Sequence, residues 1–486
     1  MRTLIALLLF SAALRADPEY PAMGPDIYDI HADGAQQIDD ALVQARAGHK
    51  RVLVDFGANW CIWCRRLHAT MEGDPGVAAK LRDSFVVVMI DVNRHKGPAR
   101  NPALIAKYGN PVRFGIPVLI VLDSDGRLLT TEDSGNLEEG DHHSPSKILA
   151  FLNQWSFVAP GLAALDRLTA PDVPAFGPSE TQVDPPDWTA DPALSEAKFP
   201  GNGAAQHPML LIGEGCNKIF IVKDGRIVWT YSTGKGWEYD DAWLLSNGNV
   251  LFSRMSYAEE VTPQKAVVWR LDSPKGTEIH TVQPIGLDRV LLVENGLPPR
   301  LLVINLRTGA TEVDHVMPAP SPTDRGTVHG QFRRIRMTAQ GTYLAPLLEM
   351  NKVVEFDRNF NQIWSYDIPS PWAAVRLHNG NTLITDERGA LTREVSPKGE
   401  TVWEYRLSEV PPGIPFHGSQ SCVRLENGNT ILCSRGDKGA GCQLIEVTPD
   451  KKLVWAMYDW NDFGPATAIQ VLDEPGIPEN PGDLQR

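Results

Sequence analysis

From Pro208 onward the chain repeats itself, and that repetition constrains its fold more than any other feature. An apolar strand, an Asn-Gly turn and a second apolar strand recur as WLLSNGNVLFS (243–253), VRLHNGNTLIT (375–385) and VRLENGNTILC (423–433). The degenerate copies IRMTAQGTYLA (335–345) and PIGLDRVLLVE (284–294) fit the same slot. A second pattern joins a strand, a polar turn and a tryptophan strand: IFIVKDGRIVWTY (219–231), VVEFDRNFNQIWSY (353–366), REVSPKGETVWEY (393–405) and LIEVTPDKKLVWAMY (444–458). Helical periodicity is missing throughout. Units of ~40–50 residues with four short strands each build a β-propeller. Two stacked sandwiches would use similar strands, but regular repetition favours the propeller.

The repeats also predict how the ring closes. The first unit, 209–231, carries only the outer pattern, and the last stretch, 466–473, carries only an inner strand. Joining them completes one blade from both ends, with five full blades between. The expectation is a six-bladed ring with no free sheet edge. Trp229, Trp269, Trp364, Trp403 and Trp455 read as packing between blades.

Residues 27–155 follow a different rule. Stretch 37–47 is helix-like, 51–56 a strand, and a helix follows Trp60. Segments 85–92 and 118–122 are apolar strands, and 146–155 is an amphipathic helix behind a capping serine. Strands alternating with helices imply an α/β layer structure. The expected organisation is a signal peptide at 1–16, an α/β domain at 25–157, a proline-rich linker at 158–208, the propeller at 209–475 and a tail at 476–486. MRTLIALLLFSAALRA has a positive start, an apolar run and small residues before Asp17-Pro18. Its run is short of the ~20 residues that span a bilayer. An exported chain, periplasmic or secreted, is expected, in a compartment that permits disulfides.

The strongest local signal is VDFGANWCIWC, residues 54–64. A strand ends at Phe56, a short turn follows, and Cys61 opens a helix. A cysteine there feels the positive end of the helix dipole, which favours the thiolate and lowers its pKa. Cys64, one turn on, can close onto a mixed disulfide. Asp55, on a strand that reads as buried, can exchange the proton that Cys64 must lose. A zinc site or an inert structural pair would also use CxxC, but no second CxxC or nearby His pair accompanies it.

Asp-Phe-x-Ala-x-Trp-Cys-x-x-Cys ahead of a helix resembles the thioredoxin family. Phe114-Gly115-Ile116-Pro117-Val118 resembles that family's cis-proline loop, which lies beside the CxxC and receives substrate backbone. The resemblance covers 27–155 and is closest to exported thioredoxin-like domains. It implies Cys61 as attacking thiol, Cys64 as resolving thiol, Asp55 as proton relay, and Pro117 and Trp60 as substrate-positioning residues. Two departures are Ile62-Trp63 between the cysteines and Gly57 where the family has an aromatic. Together with the repeats, the fold class is multidomain: an α/β thioredoxin-like fold, then an all-β six-bladed β-propeller.

The propeller repeats resemble quinoprotein-like and arylsulfotransferase-like propellers. The adjacent cysteine pair of quinone-dependent dehydrogenases is absent, so no bound quinone is expected; the redox group is the Cys61–Cys64 pair itself, and no residue is assigned to a metal. Arylsulfotransferase-like enzymes place histidine in the channel. Here His280, His329 and His417 each stand just ahead of an innermost strand; their offsets from the following turn differ, so separate loop histidines remain the competing reading.

Six cysteines are too few for a disulfide scaffold. Cys422 and Cys433 flank Asn427-Gly428 symmetrically, so a two-residue loop would make them face one another. Cys216 and Cys442 open equivalent strands of neighbouring blades. The net charge of −14 makes nucleic acid and anionic lipid poor partners, since no local basic patch overrides it, and no nucleic acid is expected. Expected partners are exported protein thiols and disulfides, with a further ligand or protein on the propeller. The leading function is an exported thiol–disulfide oxidoreductase with a propeller binding module. A propeller enzyme with an accessory redox domain and a non-catalytic scaffold are the alternatives.

Overall fold

A computed structural model describes residues 23–486 apart from 49, 94–98, 158, 176–185, 215–217, 235–237 and 320–327. The expected signal segment 1–16 and Cys216 lie outside the described residues. The chain divides into two units, Met1–Phe157 and Val158–Arg486.

In the first unit the elements run α1 (Gly34–Ala47), β1 (Arg51–Gly57), α2 (Ile62–Gly73), α3 (Pro75–Ser84), β2 (Phe85–Asp91), α4 (Pro102–Lys107), β3 (Val118–Leu122), β4 (Leu128–Asp133) and α5 (Pro145–Trp155). Strand order is β2-β1-β3-β4, with β1 parallel to β2 and antiparallel to β3. β1 and β3 are almost wholly buried because helices cover both faces. Val52, Val54 and Phe56 pack with Ile38 and Leu104 on one face; Leu53 packs with Leu67, Val77 and Leu152 on the other. Side chains alternate along a strand, so Asp55 shares the α2 face with Leu53. Asp74 both ends α2 and caps α3, accepting from Gly76 and Val77 backbone N–H at 3.0 and 2.9 Å.

The second unit contains, among the described residues, six four-stranded antiparallel sheets. Five are consecutive meanders at 241–272, 278–316, 336–367, 371–406 and 421–457. The sixth is built from both ends of the unit: Ala468–Val471 pairs with Met209–Ile212, and Ile219–Lys223 and Arg226–Tyr231 complete it. The repeated sequence has a repeated physical role. Gly248, Gly380 and Gly428 turn with φ of +90°, +86° and +89°, a region that favours glycine. The asparagine after each glycine donates to a third-strand glutamate: Asn249 to Glu260, Asn381 to Glu394, Asn429 to Glu446. Trp229 and Trp403 donate their indole N–H to Pro263 and Pro449 carbonyls on the following sheets.

Part of segment 158–208, expected as a linker, is folded. Helix α6 (Pro160–Leu168) buries Ala164, Leu165 and Leu168 against Leu210, Ile212 and Trp229. Residues 476–486, expected as a tail, are also packed: the Gln485 carbonyl accepts from Arg424 N–H at 2.9 Å, and Arg486 is buried.

The expectation that Cys422 and Cys433 face one another is corrected. Cys422 lies opposite Leu432, and Cys433 lies opposite Ser421. The loop holds three residues, not two, because Leu425 N–H bonds Asn429 C=O. That half-residue change sends the two thiols to opposite faces. Cys433 packs with Trp455, whereas Cys422 and Cys442 pack with Ile445; all three are buried free cysteines.

Candidate active site

The site forms where β1 gives way to α2. Cys61 is the N-cap of α2, and Cys61 N–H bonds the Ala58 carbonyl at 3.0 Å. Cys61 and Cys64 form a disulfide with Cα atoms 5.3 Å apart. Cys64 N–H points at Cys61 Sγ at 3.1 Å, so a backbone donor already faces the sulfur that would carry negative charge when reduced. Cys61 retains 6% exposure and Cys64 none, which leaves Cys61 as the sulfur a substrate can reach.

Ile116–Pro117 is a cis peptide. Cys61 Sγ stands 3.5 Å from the Ile116 carbonyl oxygen, so the loop before β3 lies directly against Cys61. Trp60 and Ile116 both pack against the cluster of Tyr28, Ala58, Cys61 and Cys64, while Ile62 and Phe114 remain exposed. Asp55 is fully buried, with the Tyr28 hydroxyl as the polar group that faces its carboxylate. Burial raises its pKa to about 7, with the nearby Tyr28 hydroxyl acting in the opposite sense.

Several site residues carry no sequence motif. Tyr28 is buried and fills the space over Gly57, against which Cys64 Sγ also lies. The buried Asn59 side chain holds it there: Oδ1 accepts from Ile27 and Tyr28 N–H, and Nδ2 donates to Tyr28 C=O, each at 2.9 Å. Arg65 bonds the Asn59 and Pro25 carbonyls and ties the same segment to α2. The signal that could have found Tyr28 was the missing aromatic at Gly57: the space had to be filled from elsewhere. His143 is buried edge-on to Trp63, and burial with Arg66 nearby lowers it to about 4, so it is neutral.

Of the three second-unit histidines singled out in the sequence, His280, His329 and His417, two meet. His280 is buried with Nδ1 2.9 Å from Asp240 and Nε2 2.8 Å from Glu278; His329 Nδ1 lies 2.9 Å from the same Glu278 oxygen. Burial alone would lower His280, but Asp240 and Glu278 lift it to about 9. Burial would raise Glu278, yet hydrogen bonds from both histidines hold it at about 2. Burial, with Asp240 and Glu214 nearby, raises Glu238 to about 8. His417 stands apart from this pair, on the wall of a cavity of about 600 Å³ that His329 also lines.

Residues 33–124 match the family model described as thioredoxin-like, so the first unit contains a thioredoxin-like domain. A thiol:disulfide interchange protein DsbD of Vibrio vulnificus is 31% identical over 81 residues, 17% of this chain and 13% of that protein. The chain thus spans between about an eighth and a quarter of the length of the curated relatives it matches. The solved disulphide isomerase of Xylella fastidiosa is 36% identical over 26% of this chain and 95% of its own, with a TM-score of 0.24. Virginiamycin B lyase of Staphylococcus aureus is similar over 57% of this chain and 97% of its own, at 12% identity and a TM-score of 0.40. Among the described residues no single helix is long and apolar enough to cross a membrane.

Proposed function

We propose that the protein is an exported thiol–disulfide oxidoreductase whose second unit is a binding module for a partner or ligand. The observation that carries the reading is the Cys61–Cys64 disulfide at the start of α2, with Cys61 Sγ against the loop that holds cis-Pro117. The DsbD and disulphide isomerase likenesses support the same chemistry for the first unit. The redox group is the cysteine pair itself, and no quinone is needed.

In the reduced state Cys61 thiolate attacks a substrate disulfide. A Cys61–substrate S–S bond forms, and the substrate's own S–S bond breaks to release one thiolate. Asp55 takes the Cys64 proton, and Cys64 thiolate then attacks Cys61 Sγ, closing Cys61–Cys64 and releasing the second substrate thiol. Two electrons pass from enzyme to substrate; the reverse sequence oxidises a dithiol. Trp60 and Pro117 shape the surface on which substrate backbone lies, and exposed Ile62 and Phe114 offer it apolar contact. Substrates are thiols and disulfides of exported proteins.

Trapping tests this. Cys61→Ser should abolish reduction of a model protein disulfide, whereas Cys64→Ala should accumulate mixed disulfides with substrate. Wild-type rates in both variants would overturn the reading.

A further inference from the structure

Three neighbouring sheets of the second unit send side chains to one point. Glu238 and Asp240 precede the strand Asp241–Leu244, Glu278 and His280 lie on Glu278–Ile285, and His329 precedes Arg336–Met337. Glu278 Oε2 accepts from His280 Nε2–H and His329 Nδ1–H. Both rings are thereby oriented by one carboxylate, the arrangement that holds metal-binding imidazoles in place. Their other nitrogens face Glu238: Oε1 is 3.9 Å from His280 Nδ1 and 3.7 Å from His329 Nε2. One ligand atom from each of the three residues lies within 4.8 Å of the other two.

Hydrogen bonding leaves two carboxylate oxygens of this cluster unanswered. Among the described residues Glu238 Oε1 has no hydrogen-bond partner, and neither does Oδ2 of Asp240, a residue only 8% exposed. Buried carboxylate oxygens without donors are costly unless a proton or a cation satisfies them. Donors held about 2.1 Å from a tetrahedral ion are roughly 3.4 Å apart, so Glu238 Oε1 is within a few tenths of an ångström of that spacing from each imidazole nitrogen. Two imidazoles with carboxylates suit first-row transition ions such as Zn²⁺ or Mn²⁺ rather than oxygen-only Ca²⁺ or Mg²⁺.

We propose that Glu238, His280 and His329, with Asp240 beside them, bind a divalent first-row transition-metal ion in the second unit, next to the cavity that His329 lines. Glu278 is a positioning residue. Ligand positions 238, 280 and 329 are too far apart in sequence to form a motif, and only the sheet arrangement brings them together.

Calorimetric titration of the untagged full-length chain tests this, after chelator treatment and with Cys61–Cys64 kept oxidised so that its thiolates do not compete. ZnCl₂ or MnCl₂ should bind at one ion per chain, and MgCl₂ in excess should not displace it. His329→Ala and Glu238→Gln should each weaken binding at least tenfold, and Glu278→Gln by about 10- to 100-fold. Because the His329 side chain is 51% exposed, its truncation should leave the melting temperature without metal unchanged. Added ion should raise that temperature in wild type and not in the variants. Absence of binding by wild type, or equal affinity in both ligand variants, would overturn the proposal.

Discussion

The Tyr28 hydroxyl occupies the space into which a side chain at Gly57 would grow. A Cβ at that position would collide with the Tyr28 ring end and come within 2.9 Å of Cys64 Sγ. The two residues are therefore one packing solution: an aromatic delivered from 29 positions upstream, over a glycine that makes room for it. Gly57→Ala should destabilise the first unit by about 1–3 kcal/mol through overpacking. The cost should shrink when Tyr28→Ala is already present, a non-additivity measurable by urea unfolding of the four proteins. Additive effects would show that Tyr28 is not what the new methyl meets.

Asp55 gives a pH signature with a definite sign. Its folded-state pKa is raised from the ordinary aspartate range to about 7, so the folded protein holds this proton more tightly than the unfolded chain. The associated stability is complete below about pH 4 and is lost as pH rises through 7. Asp55→Asn should therefore be more stable than wild type at pH 8, by on the order of 4 kcal/mol, with the gap closing towards pH 4. The same variant should resolve mixed disulfides about 100-fold more slowly at neutral pH. Tyr28→Phe should move the Asp55 titration upward, since the hydroxyl favours the charged carboxylate. A flat stability difference between pH 4 and 8 would remove Asp55 as a titrating group.

What could be read from the sequence depended on how local the cause was. Cys61, Cys64 and Asp55 lie within ten residues and their strand–turn–helix setting is written in the same stretch, so their placement was legible. The sharing of one sheet by 209–231 and Ala468–Val471 was legible because the repeats left half a unit at each end. Tyr28 was not, since nothing in residues 23–33 marks one tyrosine for the site. His280 and His329 were singled out individually, but their meeting on Glu278 depends on how neighbouring sheets pack. Cys422 and Cys433 were misjudged because Asn-Gly suits both two- and three-residue loops, and one extra residue inverts the facing side chains.

The cysteines outside the active site should behave as inert thiols. Burial pushes Cys422 and Cys442 up to about 12 and raises Cys433 as well, leaving little thiolate at neutral pH. A thiol reagent should not label these three in the native oxidised protein and should label all three in denaturant. Peptide mapping without reductant should recover Cys61 joined to Cys64 and no peptide joining Cys422 to Cys433. Recovery of a 422–433 link would mean that the hairpin register in this sheet is different.

Because Ala468–Val471 pairs along Met209–Ile212, residues more than 250 positions apart stabilise the same sheet. Removing 463–486 should strip that strand and leave Met209–Ile212 as an unpaired sheet edge, which templates association. It also removes Arg486, whose guanidinium donates to the Ala242 carbonyl at 2.8 Å and lies over Trp243 at 4.1 Å. A shorter truncation of 477–486 separates the two effects. It keeps the strand but loses Arg486, while Arg336 still pairs with buried Asp241 at 2.7 Å. The long truncation should melt well below wild type and aggregate, and the short one should lower the melting temperature by less. The first unit carries its own sheet and two buried apolar clusters, so reduction of a model disulfide through Cys61 should survive both deletions. Equal melting of the long truncation and wild type would mean that Ala468–Val471 contributes nothing to the sheet it completes.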